Sequence, residues 1–224
     1  MSNFSAIDRD RLEPIAQALY DEALPYHNFA HVKDTLRAAD GILDRCRSEG
    51  IRIETDVVYY ALLFHDAGYQ EDANAKGFAS KEAYAAQLAS DCLTSYGLLS
   101  STIDKVSSAI LSTEKDASFI TTEQKAVRAA DLSGMAAPFD TFLRYSLLLK
   151  REMEYLRSEK LSWSGWQANS AQIIGFYLSQ EIHLTSYFYD ENGESAYHKA
   201  VRNNLEQLLA LPAQPSLPEA PTSA

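Results

Sequence analysis

Residues 55–69 read TDVVYYALLFHDAGY, and this stretch decides the fold class. Val57 to Phe64 is the longest uninterrupted apolar run in the chain, far short of the roughly 20 residues a bilayer span requires. Thr55 is an N-cap residue type and Asp56 sets an acid in the first turn, so a helix is expected over 56–65. That helix ends in His65-Asp66. A carboxylate at the C-terminal pole of an apolar helix sits at the wrong end of the dipole, and something positive should compensate it.

Helical periodicity continues on both sides of this segment. Ile7 to Tyr20 has apolar residues at Ile7, Leu12, Ile15 and Leu19, interrupted by Pro14. From His27 to Arg47, the positions His31, Val32, Leu36, Ala39, Ile42, Leu43 and Cys46 form one stripe. Ser80 starts Lys81 to Tyr96, with Gly97 as a left-handed cap. Ser101 with Asp104 opens the segment to Leu111, and Thr121 with Gln124 reads as a capping box for Lys125 to Leu132. Longer helices are expected over 139–157, 164–179 and 194–211. Alternating strand patterns are missing, so the predicted class is all-α.

The chain has 224 residues, 46% of them hydrophobic, enough for one sizeable core. Four of its seven prolines follow Leu211, which predicts one domain over 3–211 and a disordered Pro-rich tail over 212–224. A net charge of −11 repels long polyanions and excludes extended DNA or RNA as a partner. A small phosphorylated substrate is compatible with that charge where a bound cation offsets it. Cys46 and Cys92 lack metal-type spacing, and the N-terminus shows no secretory pattern, so reduced thiols and a cytoplasmic location are expected. No membrane association is expected.

The five histidines are few enough to weigh one by one. His27 and His31 stand one helical turn apart. His65-Asp66 closes the apolar segment, and Asp131 closes a second helix after Ala-Val-Arg-Ala-Ala. Imidazole and carboxylate are ligands for borderline and hard divalent ions, and three helices of a bundle could present them to one ion.

His31, His65-Asp66 and Asp131, in the contexts YHNFAH, YYALLFHDAGY and AVRAADLSGM, resemble the H…HD…D signature of the HD-domain superfamily of metal-dependent phosphohydrolases. The resemblance covers Tyr26 to Met135, about half the chain. It implies an HD-domain-like helical bundle, His31, His65, Asp66 and Asp131 as metal ligands, and cleavage of a phosphoester by metal-activated water. The substrate would be small and phosphorylated, a nucleotide being one candidate. The alternative is a regulatory HD module that binds a metal or nucleotide without turnover.

Two departures from the pattern shape the mechanism. Relatives with two-metal sites carry further histidines between the HD pair and the last Asp, yet none occurs here between Asp66 and Asp131. One divalent ion is therefore expected, from Mn, Fe, Co, Ni, Zn or Mg, and a di-iron oxygenase is disfavoured. Glu114 is either a weak ligand or a solvated loop acid. Some mononuclear relatives use an acid one turn after the HD pair. Glu71 and Asp72 are the catalytic candidates here, although they fall two residues late.

His27, Lys115 and Arg128 are the candidate phosphate-binding residues, His27 also reading as a helix-start residue next to Pro25. Lys33 and Arg37 should face solvent. Half of the 24 aromatic residues fall between Phe139 and Tyr197, as core, substrate cover or a homodimer face.

Overall fold

A computed structural model describes residues 9–192 and 194–218. Among these residues all regular structure is helical. In order, the elements are α1 (Arg9–Gln17), α2 (Phe29–Ser48), α3 (Thr55–Phe64), α4 (Lys81–Ser95), α5 (Ser100–Leu111), α6 (Thr122–Asp131), a 3-10 turn (Leu132–Ala136), α7 (Phe139–Arg157), α8 (Trp163–Leu178) and α9 (Ala196–Ala210). No helix among the described residues is long and apolar enough to cross a membrane.

The apolar run becomes the hub because it has no polar face to give to water. All eight residues from Val57 to Phe64 are buried, and α3 packs against α1, α2, α4, α5 and α6. One contiguous core runs from Leu12 to Leu208. The α2 stripe is buried or half-buried as its spacing predicts, while Lys33 and Arg37 are exposed. Cys46 and Cys92 are free thiols.

Capping was legible where a side chain does the work. Ser80 accepts from the Ala83 amide, Gly97 is left-handed at φ +76°, and Thr121 and Gln124 close a reciprocal capping box. Several boundaries differ from expectation. Thr55 is the first residue of α3 rather than its cap, and Glu54 precedes it without a side-chain bond. α5 starts at Ser100 after Leu99, also without one.

Pro14 lies inside α1 rather than breaking it, forfeiting only the amide bond to the helix's second residue. Ile15 is exposed, with Leu12 and Ala16 carrying the contact, and Ile7 lies outside the described residues. Nor are residues 212–218 a loose tail. Leu217 packs on the core, and Arg144 Nη1 donates to the Pro218 carbonyl at 2.8 Å. Residues 219–224 lie outside the described region.

Gly68 turns the chain just after the His65-Asp66 pair. Its φ is +72°, its amide donates to the Leu19 carbonyl at 2.9 Å, and a Cβ there would meet Tyr84 Cε1 at 2.6 Å. Gly50 has φ +70° but open space around it. In urea denaturation Gly50→Ala should therefore cost about 1 kcal/mol, the left-handed penalty alone, and Gly68→Ala about 3 kcal/mol from that penalty plus the clash. Equal losses would show that the approach to Tyr84 carries no cost.

Candidate metal centre

Helices α2, α3 and α6 pack against one another in all three pairs, and the donors sit where they meet. His31 lies in the first turn of α2, whose N-cap Asn28 accepts from the Ala30 amide. His65 caps the C-terminus of α3, and Asp131 is the last residue of α6. His31, His65 and Asp131 form a largely buried group whose donor atoms lie within 4.8 Å of one another, and this group could hold a metal ion.

Asp66 reaches the same point. Its Oδ2 lies 3.1 Å from His65 Nε2 and 3.6 Å from His31 Nε2. Asp131 Oδ1 lies 3.4 Å from His31 Nε2 and 3.6 Å from His65 Nε2, and the two Nε2 atoms are 3.4 Å apart. For metal–ligand bonds of about 2.1 Å, neighbouring donors stand about 3.0 Å apart in an octahedron and about 3.4 Å apart in a tetrahedron. The spacing of His31, His65 and Asp131 fits one divalent ion, and Asp66 Oδ2 stands beside their nitrogens.

Two further observations support that fit. Asp66 Oδ2 is buried and has no hydrogen-bond partner. His65 Nδ1 stands 2.8 Å from the Leu62 carbonyl, which only accepts, so this nitrogen carries the hydrogen and fixes the ring. Nε2 then faces the other donors and must hold either a proton or a cation.

With no cation the proton takes that place. Burial opposes a second proton on His65, but Asp66 and Asp131 hold it well above the ordinary imidazole range. Burial pushes the Asp66 carboxyl up, while the charges of His65, His27 and His31 together pull it further down, to about 2. The same contest leaves Asp131 below the ordinary carboxylate range, through His31 and His65.

Asp66 and Asp131 also line a cavity of about 470 Å³ whose remaining wall comes largely from α7 and α8. His27 lines it too, but from the turn before α2, so it shares no helix face with His31. It is held by Glu152, a residue that sequence reasoning missed. One Glu152 oxygen accepts from the amides of Tyr26 and His27, each at 2.8 Å, and the other pairs with His27 Nδ1. The His27 ring stacks on Tyr69 at 3.9 Å. Burial raises the Glu152 carboxyl, but these partners outweigh it and keep it below its usual range. Its signal was an acid inside the α7 stripe of Leu149, Met153 and Leu156, masked by its charged neighbours.

Glu82, also missed, lines the cavity, and burial raises its carboxyl. In sequence it looks like an ordinary acid of a helix first turn.

The other candidates divide. Lys115 lines the cavity, its ammonium 4.6 Å from the Phe176 ring. Glu114 is half-buried and accepts from the Ser80 hydroxyl; it is not part of the donor group. Glu71 and Asp72 do not reach the cavity. Both are exposed, Glu71 pairing with Lys76 at 3.4 Å and Asp72 accepting from the Ala75 amide at 3.0 Å.

Arg128 is not a phosphate ligand either. It is fully buried and donates to the carbonyls of Thr113, Glu114 and Lys115 at 2.7, 2.9 and 3.0 Å, and to Gln180 Oε1 at 2.5 Å. Its cation thus satisfies carbonyls of the segment that follows α5.

Two outcomes follow from this geometry. Arg128→Met strips the Thr113 carbonyl and Gln180 Oε1 of their donor and should cost about 3 kcal/mol in urea denaturation, whereas Lys115→Met should be nearly neutral. A neutral Arg128→Met would refute the clamp. In metal-free protein, Asp66 has a folded pKa below its unfolded value of about 3.9, so its stabilisation is complete above about pH 4 and drains as pH falls towards 2. Asp66→Asn should flatten that part of the acid slope in chelator-treated protein, and identical slopes would refute the pairing.

No family model matches this chain, and no curated protein matches it, so the functional reading stands on the geometry and on the motif.

Proposed function

We propose that the chain is a metal-dependent phosphohydrolase that cleaves a phosphoester of a small substrate. The observation that carries this reading is the convergence of His31, His65 and Asp131 from three helices, with Asp66 beside them, at a substrate-sized cavity whose wall Asp66 and Asp131 share. The H…HD…D resemblance supports it. In this reading His31, His65, Asp66 and Asp131 hold one divalent ion, which supplies Lewis acidity towards a phosphoryl oxygen and makes water nucleophilic at neutral pH.

The protein's own groups do the rest. Glu152 takes the Nδ1 hydrogen of His27 and orients the ring, leaving Nε2 as the atom that accepts or returns a proton at the phosphoryl group. The ammonium of Lys115 offsets phosphate charge from the cavity wall. Apolar side chains of α7 and α8 exclude bulk water, which strengthens each of these interactions.

Elemental analysis of the purified protein, with hydrolysis of p-nitrophenyl phosphate, tests the proposal. Wild type should hold about one equivalent of metal, lost in His65→Ala and Asp131→Ala together with activity, and chelation should lower the melting temperature. His27→Gln should keep the metal and lose about 100-fold in kcat. Failure to bind metal after reconstitution would overturn the site. Bound metal with no turnover across a panel of phosphoesters would favour the regulatory module.

A further inference from the structure

Tyr26, Tyr69 and Tyr177 come from the turn before α2, the turn after α3 and the last turn of α8, and all three line the cavity whose wall Asp66 and Asp131 share. Their rings are packed. Tyr26 lies 4.5 Å from the His31 ring and 5.9 Å from the Tyr145 ring. Tyr69 stacks on His27 at 3.9 Å and takes the Lys81 ammonium 3.4 Å from its ring centre, and Tyr177 lies 5.1 Å from the Arg128 guanidinium.

Their hydroxyls are not tied down in the same way. None of the three has a hydrogen-bond partner among the described residues, and none of the three oxygens is sealed from solvent. Tyr145, on the same wall, shows the contrast: its hydroxyl donates to Asp34 Oδ2 at 2.7 Å. Nor do the wall's carboxylates take up the free phenols. Asp66 and Asp131 face the two imidazoles, Glu152 holds His27, and the remaining one is Glu82, whose carboxyl burial raises. Burial, and after it the charge of Asp131 or Asp66, raises each phenol above its ordinary range, so each keeps its proton and can donate it in a hydrogen bond. Lys115 and Arg157 add two cations to this wall. Its free groups mostly donate, and what matches them is a group that only accepts.

We infer that the ligand of this cavity is a phosphomonoester, and that Tyr26, Tyr69 and Tyr177 donate to its terminal oxygens. The inference rests on the phosphoester reading and narrows it. A monoester dianion offers three terminal oxygens, all acceptors, which can serve the ion and three phenols together. A diester offers two and a single charge, so it leaves a phenol without a partner and gains less from Lys115.

The test compares methyl phosphate with dimethyl phosphate at about pH 8, where the monoester is a dianion. Both are titrated calorimetrically into metal-loaded and metal-free protein. Release of 4-nitrophenol from 4-nitrophenyl phosphate and from bis(4-nitrophenyl) phosphate is followed separately. Wild type should bind methyl phosphate about tenfold or more tighter than dimethyl phosphate. Tyr26→Phe, Tyr69→Phe and Tyr177→Phe each keep the ring and remove one free hydroxyl. Each should weaken methyl phosphate about tenfold and leave both the metal content and the melting temperature of ligand-free protein unchanged. In the triple variant the preference for methyl over dimethyl phosphate should fall about tenfold, because the diester has fewer contacts to lose. Tyr145→Phe should do the opposite, lowering the melting temperature and keeping the affinity for methyl phosphate.

Unchanged methyl phosphate affinity in the three single variants would overturn the inference. So would a preference that survives in the triple variant, or tighter binding of dimethyl phosphate by wild type. Phenol-dependent binding of methyl phosphate with no nitrophenol released from either ester would uphold it and remove the hydrolase reading. Release from the diester in preference to the monoester, indifferent to the phenols, would do the reverse.

Discussion

An apolar helix that ends in a carboxylate has to find a positive partner, and this bundle brings two such helices to one point. α3 and α6 both finish at the donor group, with Asp66 following one and Asp131 closing the other. The helix dipoles add their negative ends to the two carboxylates, and burial removes the water that would otherwise screen them. His31 and His65 answer with nitrogen atoms whose charge depends on what else is present. In the absence of a cation Asp66 and Asp131 hold a proton on His65, and around the proposed ion both rings would be neutral ligands. On the proposed reading the same side chains would serve stability and chemistry, with proton and metal competing for one place.

The surrounding fold keeps that competition local. α3 has no exposed face, so the position of His65 is set by packing on every side and by its bond to the Leu62 carbonyl. Arg128 lies one turn before Asp131 and fastens the segment after α5 to α6, while Gln180 also bonds the Lys115 carbonyl from beyond α8. The helix that ends in Asp131, the segment after α5 and the segment after α8 are thereby held by one buried guanidinium.

What the sequence revealed follows the range of the interactions involved. The all-helical class, the α3 core, the capping box at Thr121 and the left-handed cap at Gly97 depend on residues a few positions apart, and each is as the spacing predicts. The set His31, His65, Asp66 and Asp131 was legible through the H…HD…D resemblance, and the structure places the donors of His31, His65 and Asp131 together with Asp66 beside His65. The errors concern side chains whose meaning lies far away in the chain. Arg128 looked like a phosphate ligand, but its partners are carbonyls 13 to 15 residues back and Gln180, 52 residues ahead. Glu152 was hidden in a charged run, its partners 125 and 126 residues earlier. Glu71 and Asp72 were placed by counting from the HD pair, and the turn at Gly68 carries them away to solvent. Pairing at such distances leaves no local trace except an acid on an apolar face.

The order of these parts along the chain separates two properties that natural variation could act on. Every proposed ion ligand lies between His31 and Asp131, whereas the stripes that enclose the cavity come from α7 and α8, beyond residue 138. On the proposed reading, exchanges at positions such as 149, 166 or 173 would alter which molecule fits without disturbing what would hold the ion. Position 152 is the exception, because its carboxylate reaches back to fix the entry of α2 and the His27 ring. On that reading new selectivities would evolve by repainting two helices around one glutamate that also anchors the entry of α2.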